Sequence, residues 1–247
     1  MEKIGTVAGL RRYPVKSMRG EDLTEVFVSY AGVAGDRVYA FVDDEKAARG
    51  DNFPWVSGRM MPELLLYAPR FYEAIGPGHP YPDAAQFRVE VATPDGERFD
   101  ITDPRLISEL AKKLGRKISL RFSERGMQDS RPFSLVGTST IRALEQELGM
   151  PVAEERFRMN CSVAWDNDEP FFEDTLVGRT IRIGEKLELV ISKKDTRCSI
   201  ITVDPKSGGK TPEILAHVAR HHGNCVGVYA VVLREGTARN GDPIYLL

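Results

Sequence analysis

The stretch KKDTRCSIITVDPKSGG, residues 193–209, carries one of only three cysteines in the chain. Arg197 directly precedes Cys198, and Lys193 and Lys194 lie just upstream. Nearby cations favour a thiolate over a thiol. A thiolate is both a nucleophile and a soft metal ligand. Beyond it, Asp204 and Pro205 open a turn that ends in Gly208 and Gly209, whose lack of side chains permits close backbone approach. The alternative for Cys198 is burial as a small apolar residue, the common fate of a free cysteine. Cys161 and Cys225 sit in apolar strand-like runs with fewer cations around them, and for these two the structural reading is the stronger one.

Three other sets of residues could bind a ligand. In RRYPVKSMRG, residues 11–20, Pro14 stiffens the chain after an apolar run. Lys16 and Ser17 then offer an ammonium and a hydroxyl side by side, a pairing suited to a phosphate oxygen. The segment is no Walker loop, because it lacks the glycine-rich lead and the following helix. In ERFRMN, residues 155–160, Arg156, Arg158 and Asn160 alternate. On a strand all three project from one face. Such a face can read an anion or a heterocycle, or it can simply be solvated. In HVARH, His217 and His221 are spaced i, i+4 on an expected helix. That spacing can chelate zinc, with His222 and Cys225 to complete a site. Val218, however, stands where the HExxH motif has its catalytic glutamate, and surface histidines are the plainer reading.

The elements that must position these residues are mostly strands. IGTVAGLRRYPV, EVFVSY, DRVYAFVD and LLLYAPRF are short, β-branched or aromatic, and separated by turn residues. QFRVEVA alternates, with Phe87, Val89 and Val91 on one face, and TPDG after it predicts a hairpin returning through RFDI. Residues 76–82, GPGHPYP, read as a loop. A helix is expected from an Asp103 N-cap through Pro104 to a stop at Gly115, with Leu106, Leu110 and Leu114 as its apolar stripe. Two more helices are expected over residues 139–148 and 212–222. RFRMNCSVAW, TIRIG, KLELVIS, SIITV, VGVYAVVL and PIYLL read as strands. Strands in runs with few helices between them argue against a doubly wound parallel sheet and for a β-rich, barrel-like α+β fold. The 247 residues suffice for one large domain or two small ones, with a boundary near residue 120.

Composition narrows the function. A net charge of −2 argues against a general nucleic-acid binder. Charge is uneven, though: the first 20 residues hold Lys3, Arg11, Arg12, Lys16 and Arg19 against Glu2 alone, a patch fit for a compact anion. No apolar run approaches the roughly 20 residues of a membrane span, and no signal-peptide core is present. An odd number of cysteines without a CxxC argues against a disulfide framework and fits a reducing cytoplasm.

Taken together, YPVKSMRG, GDRVYAFVD, RFRMN, DTRCSIITVDPKSG and GVYAVVLREGTARNGDPIYL resemble, in that order, the MOSC family with its N-terminal β-barrel partner domain. The mitochondrial amidoxime-reducing component and bacterial relatives are members. The resemblance implies a MOSC N-terminal β-barrel-like domain over residues 1–120 packed on a MOSC β-barrel domain over 121–247. It implies a molybdenum cofactor, a molybdopterin, between the halves, with Cys198 as the molybdenum ligand. Lys16 and Ser17 would hold the cofactor phosphate. Arg37, Arg158 and Asn160 would contact the pterin, Ser130 would line the pocket, and Thr196 and Arg197 would shape the open face of the metal. Two positions depart from the pattern: Met159 replaces a proline of FRPN, and Met18 stands where a cysteine is frequent.

The activity implied is molybdenum-dependent reduction of N-hydroxylated compounds, amidoximes or N-hydroxylated bases, to amines. No ferredoxin-type cysteine cluster follows the resemblance, so a separate flavin, haem or iron–sulfur protein is expected to donate electrons. Two rivals stand beside this reading. One is a carrier of sulfur or of the cofactor without turnover. The other is a pyridoxal-phosphate protein with Lys16 as the Schiff-base lysine.

Overall fold

The computed structural model describes residues 1–76 and 83–247. The loop expected over residues 76–82 lies, beyond Gly76, outside the described residues. In chain order the first half holds β1 (Glu2–Arg12), β2 (Glu21–Leu23), β3 (Glu25–Ser29), β4 (Gly32–Val33), β5 (Tyr39–Asp43) and α1 (Asp44–Ala48). There follow β6 (Ala68–Phe71), β7 (Val89–Ala92), β8 (Arg98–Asp100), α2 (Pro104–Leu114) and β9 (Ile118–Phe122). The second half holds β10 (Phe133–Gly137), α3 (Thr138–Leu148), β11 (Cys161–Trp165), α4 (Phe172–Thr175), β12 (Thr180–Ile183) and β13 (Leu187–Thr196). It ends with α5 (Pro212–His221), β14 (Cys225–Arg234), β15 (Gly236–Arg239) and β16 (Pro243–Leu246).

Seven strands close a barrel in the order β11-β10-β14-β13-β12-β16-β1, because β1 also pairs with β11. The pairs are antiparallel except β10 with β11. The amino-terminal strand is thus a stave between two carboxy-terminal ones, with Leu10 opposite Cys161 and Glu2 opposite Leu246. Alternate residues of the staves, Val7, Leu135, Val163, Leu189, Val228 and Ile244 among them, fill one core. A second core gathers Tyr39, Phe41, Leu64, Phe87, Val89, Leu106 and Leu110 around the smaller sheets β5-β9 and β6-β7-β8. A third lies under α3 and α5, around Leu144, Ile201 and Val218. The fold is β-rich α+β with five α-helices among the described residues. None of these helices is long and apolar enough to cross a membrane.

The strongly patterned elements form as their residues dictate. β7 and β8 make the expected hairpin, with Val91 opposite Phe99 and Val89 and Val91 buried. In α2 the Asp103 carboxylate accepts from the Arg105 amide at 2.8 Å, and Gly115 closes the helix at φ +68, a conformation that disfavours side chains with a Cβ. Leu106 and Leu110 are buried and Leu114 packs half-buried beside them.

Elsewhere tertiary contacts override the pattern. ERFRMN is not a strand: Glu154–Phe157 is a 3-10 turn, Arg158 takes φ +57, and pairing starts only at Cys161. Arg156 therefore leaves the common face and turns to Thr202 O (3.0 Å) and Asp204 Oδ2 (2.8 Å). SIITV is likewise no strand. Ser199–Thr202 is a 3-10 turn that drives Ile201 into the third core. The first part of LLLYAPRF coils as a 3-10 turn, Pro62–Leu66, before β6. A short apolar run fits a turn or a strand equally well until its partners are known.

Candidate functional site

β13 ends at Thr196, and its register with β14 shifts between Lys194 and Thr196. Such bulges re-aim a strand end. Here side chains alternate: Asp195 and Arg197 are buried, while Thr196 and Cys198 are exposed. The Arg197 backbone is clamped at both ends by Asn224, its N–H donating to Asn224 O (2.8 Å) and its carbonyl accepting from Asn224 Nδ2 (2.9 Å). The Arg197 guanidinium donates to Phe157 O (2.9 Å), to Val226 O (2.8 Å) and to Asp195 Oδ2 (2.5 Å). Its charge is therefore spent inward on Asp195 and two carbonyls. Arg197 acts as the scaffold that presents Cys198, rather than as a free cation beside the sulfur.

On the opposite wall β1 runs out at Arg12, and Pro14 and Val15 lead into a tight turn. Lys16 N–H donates to Tyr39 O (2.8 Å), and Ser17 takes φ +65. Lys16 is 5 % exposed, and its Nζ meets Met127 O (2.6 Å) and Asp129 Oδ1 (2.5 Å). Burial pushes the ammonium below its ordinary pKa, with Asp129 pulling the other way. Next to it, Arg37 and Arg158 both place their guanidinium groups over the ring of buried Tyr13, at 4.7 and 4.3 Å from its centroid. Ring faces attract cations. Burial works against the Arg37 charge, but Asp36 outweighs it and holds the pKa above the ordinary value. For Arg158 burial wins and pushes its guanidinium down to about 10, with Arg37 pushing the same way and Tyr13, Asp36 and Asp129 offsetting only part of it.

Ser17, Arg37 and Arg158 share a further property. Each is a non-glycine residue with left-handed φ, at +65, +55 and +57. Residues held in that region carry about 1–3 kcal/mol of strain each and gather at ligand clamps. The strain here brings their backbones to one wall, with Arg37 Nη2 donating to Arg158 O at 3.0 Å.

These two walls enclose a cavity of 310 Å³. Lys16, Ser17, Arg37, Arg158, Asn160, Thr196, Arg197 and Cys198 all line it. Residues 16 and 198, far apart in sequence, thus share one chamber. Ser130 is half-buried and is not among the lining residues, whereas its neighbours Asp129 and Arg131 are. Phe157 and Met159 flank Arg158 and pack into the third core. Asn160 is buried and held by Ser134 Oγ (3.1 Å) and Arg11 O (3.3 Å). Of the other cysteines, Cys161 is buried in the barrel core, where burial pushes its thiol pKa up, and Cys225 is half-buried against Thr196.

Several lining residues were not read from the sequence: Phe53, Arg59, Asp129, Arg131, Asp195 and Tyr229. Asp195 stands three residues before Cys198, on the strand that delivers the cysteine, which was the one available signal. Burial lifts its carboxyl to about 6, although Arg197 opposes the shift. Lys16, Arg37, Arg59, Arg131, Arg158 and Arg197 face only Asp129 and Asp195 as acids in this lining, so the chamber suits an anion. Arg158 Nη2 is buried with no hydrogen-bond partner among the described residues. Buried donors of this kind are normally satisfied, so this one points to a bound acceptor.

Comparison with known proteins agrees with this architecture. The family model of the MOSC N-terminal beta barrel domain matches residues 4–105, and that of the MOSC domain matches residues 123–245. The chain is 27% identical over 120 residues to a molybdenum cofactor sulfurase of Caenorhabditis elegans, and 26% identical over 120 residues to that of Caenorhabditis briggsae. Each match takes in 49% of this chain but only 16% of the relative. The YUAD protein of Bacillus subtilis shares the fold at a TM-score of 0.50, with 15% identity, over 98% of this chain and 94% of its own. Since the two matched spans take in most of its length, the chain belongs to the MOSC family.

Proposed function

We propose that the 310 Å³ chamber holds a molybdenum cofactor with Cys198 as the protein ligand of the metal, and that the chain reduces N-hydroxylated compounds such as amidoximes to amines. The observation that carries the reading is the pairing of an exposed thiol on one wall with a basic, strained wall opposite. The donor set fits the group. A sulfur ligand suits a soft metal, and Lys16 with Ser17 suits a phosphate. The orphaned Arg158 Nη2 and the Asn160 amide suit a polar heterocycle. The name of the curated relatives, molybdenum cofactor sulfurase, supports the cofactor and not the reaction.

When bound, the cofactor would supply redox chemistry at its metal. The chain's own residues do the rest. Lys16 and Ser17 anchor the phosphate end, and Arg37, Arg158 and Asn160 hold the pterin. Arg197 fixes the backbone so that Cys198 points into the chamber. Thr196 borders the open side where substrate enters. Asp195, whose carboxyl burial lifts to about 6 against the pull of Arg197, can hold a proton in the same chamber as the cysteine. Electrons come from a separate protein. The organisation proposed is residues 1–120 as the N-terminal barrel-type unit and 121–247 as the MOSC unit, with β1 shared by the second.

A second reading is favoured by the exposure of Cys198 and by the name of the relatives: a carrier of sulfur or of cofactor without turnover. The pyridoxal-phosphate alternative gains no support, since Lys16 Nζ is taken by a carbonyl and a carboxylate. The deciding experiment is molybdenum and pterin analysis of protein made in a cofactor-competent host, followed by amidoxime reduction with a chemical reductant. Bound molybdenum with turnover supports the reductase. Bound molybdenum without turnover, or a Cys198 persulfide seen by mass spectrometry, supports the carrier. Neither metal nor pterin overturns both.

A further inference from the structure

Away from the chamber, three side chains from two helices converge. Glu147 lies in the last turn of α3, His217 lies within α5, and His222 follows the end of α5. Glu147 Oε2 is 2.7 Å from Nε2 of His217 and 2.7 Å from Nε2 of His222, and the three donor atoms lie within 4.8 Å of one another. The i, i+4 partner His221 is not in the set. Its ring packs against that of His217 at 4.5 Å, and His222 takes its place as the second imidazole. We propose that Glu147, His217 and His222 form a zinc site that staples α3 to the turn between α5 and β14.

Two imidazoles and one carboxylate are a zinc ligand set, with a water completing four-coordination. The rings are held in place before any metal arrives. His222 stacks on Phe171 at 4.3 Å between centroids and 20° between planes. Leu144 of α3 and Val218 of α5 are fully buried in the same core, so the two helices are fixed relative to each other. Without a cation both imidazoles converge on the single oxygen Oε2 of Glu147. Glu147 sits where the helix macrodipole is negative, and the last turn of α3 has no basic residue. A divalent cation answers the negative end of α3 and the carboxylate at once.

The staple would bear on the chamber through two residues. His222 N–H and Asn224 N–H both donate to Val218 O, at 3.0 and 3.1 Å. Asn224 is the residue that clamps Arg197 directly before Cys198. Fixing His222 therefore stiffens the support of the cysteine loop from behind. The site itself uses no residue of the chamber, and its test does not depend on molybdenum.

The experiment is zinc titration of the metal-free full chain against a chromophoric chelator, with cobalt(II) substitution as a spectroscopic check. Wild type and Cys198→Ser should each bind one zinc ion, and His217→Ala and His222→Ala should weaken binding by about 100-fold or more. Cobalt should give the visible bands of a four-coordinate nitrogen–oxygen site without thiolate charge transfer. Zinc should raise the melting temperature of wild type and leave that of Glu147→Gln unmoved, a near-isosteric variant that keeps the fold should the alanine variants not. Absence of stoichiometric zinc, unchanged affinity in the His217 and His222 variants, or loss of zinc in Cys198→Ser alone would each overturn the proposal.

Discussion

Lys16 and Asp129 are 113 residues apart in sequence, and Lys16 Nζ meets Asp129 Oδ1 at 2.5 Å in the wall of the chamber. The two differ in exposure: the lysine side chain is 5% exposed and the aspartate 62%. The cation is fixed and the anion stands at the water's edge. An incoming phosphate therefore competes with Asp129 for Lys16, and the aspartate is free to swing outward. Asp129→Asn should tighten binding of inorganic phosphate or of the cofactor, read by titration calorimetry. Weaker binding in that variant would show that Asp129 helps hold the ligand instead.

Lys16→Ala should act in the opposite sense. A charge-assisted contact contributes roughly 1.5–3 kcal/mol, so cofactor affinity should fall by about tenfold or more. Turnover per bound molybdenum should stay near wild type. Collapse of turnover at unchanged occupancy would assign the lysine to the chemistry and not to the phosphate.

Cys198→Ser should fold and lose amidoxime reduction, because a hydroxyl is a poor ligand for a soft metal. Cys161→Ser, in contrast, places a hydroxyl in the barrel core and should cost about 1–3 kcal/mol of stability without touching the metal. Cys225→Ser should be milder still. Equal loss of activity in all three would show that chemistry does not single out Cys198.

Asp195 supplies a pH dependence. Burial raises its carboxyl from 3.8 to about 6 in the folded chain, against the opposing pull of Arg197. Between those values the folded chain holds a proton that the unfolded chain has released. The associated stability is full below about 3.8 and is lost as pH rises through about 6. Asp195→Asn lacks this dependence. The melting-temperature gap between wild type and variant should therefore shift in the variant's favour from pH 4 to pH 7. A gap independent of pH would mean that the carboxyl titrates normally.

Gly227 tests the support beneath Arg197. It lies in β14 at φ +71, next to Val226, whose carbonyl Arg197 bonds. A Cβ there would stand 2.7 Å from Leu135 O and would also collide with the Met159 side chain. Gly227→Ala combines backbone strain with overpacking and should cost about 1–3 kcal/mol or more. A melting temperature equal to wild type would show that β14 can shift to accommodate it.

The parts of the fold that could be read from sequence are those where local signals agree. The β7–β8 hairpin has strict alternation around a glycine turn, and α2 has a cap, a stripe and a stop. β9 and β10 are five-residue runs that fit a strand or a turn equally well until their partners β5 and β14 are known. ERFRMN shows the limit at the site itself. Residue types pointed to Arg158 and Asn160, and both line the chamber, but through a left-handed turn and not a shared strand face. Left-handed backbone at a serine and two arginines leaves no trace in composition. The same holds for Tyr13, whose role as a platform for two guanidiniums depends on residues far along the chain.

The place of β1 in the barrel governs how the protein comes into being. Glu2 faces Leu246, so one edge of β1 is covered only when β16, distant in sequence, docks beside it. Until β11 and β16 dock, Ile4, Val7 and Leu10 of β1 have only the short β2 beside their strand. Contacts of such sequence separation make folding slow. A fragment starting after residue 120 would lack the stave that closes β11 against β16, and would present two unpaired edges open to association with other chains.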